Sequence, residues 1–100
     1  MRRFRIAEES MLPTLRPGDI VLATTDRRPP AGSVVVFRHP RREDLWLVKR
    51  VTALGGDEMW VESDNPEATM ADSRTLGWIP TELTYRARLR LRDRWRLSRV

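Results

Sequence analysis

The sequence predicts a mostly β domain with a coiled, closed or partly closed antiparallel sheet, and three observations predict it. Gly and Pro fall at intervals that cut the 100 residues into short pieces. Those pieces are rich in β-branched residues, which suit a pleated surface. No segment keeps helical spacing over three turns. The first predicted strand, Ile20 to Thr25, follows the turn signal Arg16-Pro17-Gly18-Asp19, and the second, Ser33 to Arg38, follows Arg28-Pro29-Pro30-Ala31-Gly32. Leu45 to Ala53 is the third, ended by Gly55-Gly56-Asp57, and Glu58 to Glu62 returns as its hairpin partner. Ser63 to Pro80 reads as a long polar loop. From Thr84 the chain alternates, with Arg at 86, 88, 90, 92, 94 and 96 against Ala87, Leu89, Leu91, Asp93, Trp95 and Leu97. That period of two is a strand signature, as one strand or as two reversed near Arg92-Asp93-Arg94.

A chain of this length supports one folding unit, so residues 1–100 are expected to form a single domain with no second domain. Eighteen Arg and one Lys stand against 14 acids, a net charge of +5 that favours acidic partners or surfaces. Guanidinium groups in a row, as in the 86–96 stripe, can neutralise phosphates. No aromatic residue interleaves on that face to stack bases, and charge on a strand face also blocks edge-to-edge pairing, so a solvated face is the expectation and nucleic acid is not an expected partner. Cysteine is absent, which excludes disulfides, thiolate metal sites and a Cys nucleophile. His39 is the only histidine, and one imidazole without Cys makes a poor metal site. It reads as a loop residue, and neither a metal nor a cofactor is expected. Met1 to Glu9 has the basic start of a signal peptide but not the apolar stretch that follows in one. No apolar run is longer than that of Val34 to Phe37, which has a strand's length, far short of the roughly 20 residues that span a bilayer. The expectation is a soluble, cytoplasmic protein without membrane insertion.

Two residues can carry chemistry. Alternation through Leu45 to Val51 puts Lys49 on one face with Leu45, Leu47 and Val51, while Arg50 shares the other face with Trp46 and Val48. A lysine desolvated on an apolar stripe has its charged form disfavoured, and a neutral amine accepts a proton from a hydroxyl. Arg cannot, because its guanidinium stays protonated. On the strand pattern alone, a lysine that snorkels from the sheet edge or pairs with a carboxylate is the simpler account. Ser10 lies in Glu8-Glu9-Ser10-Met11-Leu12-Pro13-Thr14-Leu15-Arg16-Pro17-Gly18-Asp19, where Pro13, Pro17 and Gly18 prevent regular helix or central strand. Such a loop can hold a hydroxyl and its own backbone N–H in fixed relation, although a serine beside a turn is usually a turn residue.

Ser10-Met11-Leu12-Pro13-Thr14-Leu15 with Gly18-Asp19 resembles the nucleophile box of type I signal peptidases. Gly32 to Phe37 resembles that family's next strand, and Val48-Lys49-Arg50-Val51 with Gly56-Asp57 behind it resembles the box of the general-base lysine. Asp64-Asn65, then Asp72-Ser73-Arg74 and Gly77-Trp78-Ile79-Pro80, resemble the last box. The resemblance implies a compact signal-peptidase-like catalytic domain and a serine endopeptidase with a Ser–Lys dyad, Ser10 attacking and Lys49 moving the proton. It also implies a hydroxyl that orients the lysine, with Thr69 or else Ser73 in that role. Asp72 and Arg74 are implied as a bracing pair, and Met11 and Pro13 as residues of the substrate cleft. Glu8 stands where signal peptidases often have Ser or Gly, and Ser63 replaces the Gly before Asp64-Asn65.

Within that superfamily, Met11 to Asp19, Arg38-His39-Pro40-Arg41-Arg42 and Lys49-Arg50-Val51 are similar to the anchor-free maturation proteases of nickel-type superoxide dismutase. That likeness implies removal of an N-terminal extension from the dismutase precursor, which would be the protein partner. Rival readings are a signal peptidase acting on exported proteins with a separate membrane anchor, and a repressor-like or non-catalytic β domain that binds nucleic acid.

Overall fold

The computed structural model describes residues 1–69 and 71–100. Among the described residues eight strands and one helical turn follow one another: β1 (Arg2–Arg5), β2 (Ile20–Thr25), β3 (Val34–His39), β4 (Arg42–Gly55), β5 (Glu58–Glu62), α1 (Ser73–Leu76), β6 (Ile79–Pro80), β7 (Tyr85–Arg92) and β8 (Arg96–Arg99). All pairings are antiparallel. The strands join in the order β1-β2-β7-β3-β4-β5-β6, with β8 beside β7. The mostly β expectation holds, and the sheet stays open: β1 and β6 end the path without pairing to each other.

The continuous apolar run of β3 is explained by burial on both faces. Val34 and Val36 join Phe4, Ile6, Met11, Leu15 and Val21 in one core cluster, while Val35 and Phe37 join Leu47, Val51, Met59 and Val61 in another. Loop chemistry sets the strand ends. Gly18, at φ +95°, closes the turn that starts β2; Asp19 N donates to Arg16 O at 3.0 Å, and the Asp19 carboxylate accepts from Arg16 N at 2.8 Å. Gly56, at φ +61°, makes the two-residue loop between β4 and β5.

Three elements depart from the sequence reading. β1 was not expected, because Arg2-Arg3-Phe4-Arg5 has no β-branched residue; Phe4, its one buried side chain, anchors it opposite Val21. The long loop 63–80 contains α1, capped by the Asp72 side chain, and the short β6 that completes the sheet beside β5. The arginine stripe is not simply a solvated face. β7 lies between β2 and β3, and its arginines reach neighbouring loops: Arg86 and Arg88 lie 3.8 and 4.0 Å from Asp26, and Arg90 donates to Thr14 O at 2.7 Å. Arg92 donates to both Asp19 oxygens at 2.9 and 2.8 Å.

Candidate active site

The Ser10 loop is fixed by its own turns and by three neighbours. Leu15 N donates to Met11 O at 2.9 Å, and the fully buried Leu15 side chain pins the turn to the core. Asn65 N donates to Ser10 O at 2.8 Å, and the Asn65 side chain donates to Glu9 O at 3.1 Å. Thr14 Oγ1 donates to Asp64 at 2.6 Å, where the same carboxylate takes two bonds from Arg50, both at 2.8 Å. From the far side, Arg90 and Arg92 hold Thr14 O and Asp19. A turn with no regular hydrogen-bond ladder is thus pinned by partners from β4, the 63–65 segment and β7.

Lys49 sits in β4 opposite Val35 of β3, and only 2 % of its surface is exposed. Its flanking same-face residues, Leu47 and Val51, belong to the second core cluster, as the alternation predicts. Its amine donates to Ser63 Oγ at 3.0 Å. Burial pushes the Lys49 pKa below that of an ordinary lysine; Asp72 and Glu8 oppose this with negative charge, and Arg74 adds to it. Ser10 and Lys49 line one cavity of about 390 Å³ together with Glu8, Met11, Ile6 and Val36. Its apolar walls come from β1, β3 and β4.

The strand pairing explains why the cavity is open. β4 pairs with β3 through residues 46–50, but with β5 only from Arg50 onwards, and β1 pairs only with β2. The outer edge of β1 and the free edge of β4 near residues 45–49 both face the cavity, so two rows of backbone groups border it.

Around Lys49 the structure rearranges the expected supporting residues. The hydroxyl that meets the amine is Ser63, not Thr69 or Ser73. Thr69 Oγ1 accepts from Ala71 N at 3.0 Å, and Ser73 Oγ accepts from Val61 N at 2.8 Å, so each hydroxyl holds backbone. Asp72 and Arg74 are joined by a two-oxygen ion pair with Nε–O distances of 3.0 and 3.2 Å. Asp72 also accepts from Ser63 N at 3.1 Å, and through that bond it fixes the residue that meets the lysine. Burial works against ionising Asp72, but the bonds from Arg74 and Ser63 outweigh it and keep its pKa below the usual carboxylate value. Met11 lines the cavity, whereas Pro13 is exposed, lies outside it, and contributes a cis peptide bond to the loop. His39 ends β3, where its Nδ1 accepts from Arg41 N at 3.0 Å. Among the described residues no group of three or more His, Asp or Glu is placed to hold a metal ion. Nor is any helix among them long and apolar enough to cross a membrane.

A family model described as signal peptidase, peptidase S26, matches residues 1–65 of the chain. The chain is 35 % identical over 72 residues to the signal peptidase I of Buchnera aphidicola subsp. Baizongia pistaciae, a match covering 56 % of this chain and 23 % of that protein. It is 36 % identical over 58 residues to the signal peptidase I of Aquifex aeolicus, covering 54 % of this chain and 23 % of that one. The chain thus corresponds to about a quarter of the length of these curated relatives. No solved structure gives a significant match.

Proposed function

The chain belongs to the signal peptidase family, peptidase S26, and from that premise we propose that it is a serine endopeptidase in which Ser10 is the nucleophile and Lys49 the general base. The observation that carries this reading is a hydroxyl and a buried amine of lowered pKa on one cavity between two unpaired strand edges. A substrate in extended form adds to those edges through main-chain hydrogen bonds, which brings its carbonyl to the serine. Neutral Lys49 takes the Ser10 proton as the oxygen attacks, and the Ser10 N–H stabilises the oxyanion. The ammonium then protonates the leaving amine, and the returned neutral amine activates the water that hydrolyses the acyl-enzyme. Ser63, in place of the expected Thr69 or Ser73, orients Lys49 in this scheme.

The proposed substrate is a protein precursor from which an N-terminal extension is removed, in the cytoplasm. Arg38-His39-Pro40-Arg41-Arg42 and Met11 to Asp19 favour nickel-type superoxide dismutase as that precursor. Exported proteins are the second reading, favoured by the signal peptidase I names of the two relatives. The test is incubation of the purified protein with a nickel superoxide dismutase precursor and, in parallel, with an exported precursor, the new N-termini being read by mass spectrometry. Ser10→Ala and Lys49→Met are each expected to lower kcat/KM by roughly 10⁴-fold or more with the fold retained. Cleavage that survives in either variant would remove the dyad.

A further inference from the structure

Beyond the Ser10–Lys49 cavity lies a second one of about 430 Å³, whose apolar lining includes Ile79, Pro80, Leu83 and Tyr85. The two cavities share Arg2 and Trp46. At this junction Phe4, Trp46 and Tyr85 pack edge-on or tilted with centroids 5.0 to 6.1 Å apart. The Arg2 guanidinium lies 5.3, 4.8 and 5.7 Å from the centroids of Phe4, Trp46 and Tyr85, and the Arg38 guanidinium lies 4.4 Å from that of Trp46.

Both guanidinium groups are therefore held in place by ring faces, at little further entropy cost when they bind something else. Arg38 also donates to the main-chain oxygen of Glu43, and among the described residues neither arginine forms an ion pair with a carboxylate. Many arginines of the chain lack a carboxylate partner, but these two are set apart by the ring faces that hold them, which leaves them preorganised cations with unused donors. Among the described residues Glu82 is the one acid lining the second cavity, against Arg2 and Arg38. The lining thus sets apolar side chains beside two cations.

We infer that this second cavity is a distal substrate-binding site, continuous with the Ser10–Lys49 cavity, that receives a carboxylate side chain next to an apolar one from the same polypeptide. Trp46 and Lys49 are three residues apart on β4, about 10 Å in a strand. An extended substrate lying along β4 meets Trp46 and the arginines about three residues from the scissile bond. The carboxylate accepts from Arg2 or Arg38, and the neighbouring apolar side chain enters the cavity against Leu83 and Tyr85. The inference rests on the peptidase reading for the identity of the occupant.

Two fluorescein-labelled 15-residue peptides of Gly, Ala and Ser test it, one carrying Asp-Leu-Glu near one end and the other Asn-Leu-Gln. Binding by anisotropy to the Ser10→Ala protein is expected to favour the acidic peptide about fivefold at low salt and hardly at all at high salt. Adding Arg38→Gln or Arg2→Gln removes the preference, whereas Arg27→Gln, an exposed arginine elsewhere with the same charge change, keeps it. Equal binding of the two peptides, or a preference that survives Arg38→Gln, would overturn the inference. Failure of the peptidase reading looks different: the wild type cleaves no precursor, while the Ser10→Ala protein still prefers the acidic peptide.

Discussion

Ser63 is the residue whose place beside Lys49 is least visible in the sequence and is set by two bonds in the structure. Lys49 donates to it at 3.0 Å, and Ser63 N is in turn fixed by Asp72, so amine and hydroxyl have little freedom. Plain hairpin counting from the Gly55–Glu58 pair would set Ser63 opposite Arg50. A bulge at Thr52 shifts the register by one, so Arg50 faces Glu62 and Ser63 comes level with Lys49. Pattern alone cannot place such a bulge, whereas the apolar face of Lys49 was legible because alternation on β4 is regular through that stretch. The prediction is that Ser63→Ala lowers kcat by about 100-fold with KM little changed, as a misaligned base would. The hydroxyl accepts from the amine and so favours its charged form; losing it lets the pKa fall further and moves the rising limb of the pH–kcat profile to lower pH. Ser63→Thr restores both. A purely structural serine would leave the position of that limb unchanged.

The elements outside the family match do much to shape the Ser10 loop. Residues 66–100 supply β7, whose Arg90 and Arg92 grip Thr14 O and Asp19 on the side of the loop away from β4. The parity of the arginine stripe was readable, and so was the reversal near Asp93, where Asp93 and Arg94 take φ of +56° and +68°. The partners were not, because they lie more than 70 residues away in the chain. β1 is not legible in the sequence for a related reason: its place depends on one buried Phe4 rather than on local propensity. Asp19 is almost fully buried, and its bonds from Arg92 hold its pKa down against the cost of burial. Arg92→Met removes the guanidinium from that buried carboxylate and leaves it only the bond from Arg16 N. It is expected to lower the melting temperature and to reduce kcat about tenfold, more than it raises KM, because the loop rather than the cleft is loosened. Thermal unfolding and steady-state kinetics on the same preparation check both.

Across the whole molecule, three aspartate–arginine pairs tie the site together: Asp19 with Arg92, Asp64 with Arg50, and Asp72 with Arg74. Each carboxyl is held below its ordinary 3.8: Asp19 chiefly by Arg92, Asp64 by Arg50 and Thr14 against burial, Asp72 by Arg74 and backbone donors against burial. A depressed carboxyl adds stability that is complete above 3.8 and is lost as the pH falls through the folded-state value. Lys49 has the opposite linkage: its folded value lies below 10.5, the unfolded chain binds the extra proton between the two, and stability rises with pH across that interval. Fold and activity therefore fail at different pH. Between pH 4 and the Lys49 pKa the protein is expected to be folded but inactive, because the base is protonated while all three pairs are intact. Below about pH 4 its stability falls towards unfolding, with up to three protons taken up on unfolding and a slope of up to about 4 kcal/mol per pH unit. Circular dichroism and cleavage rate, followed on one sample from alkaline pH down to pH 2, should give two separate transitions, activity being lost before the fold. A single coincident transition would mean that the loss of activity is unfolding, and that Lys49 does not titrate as the base.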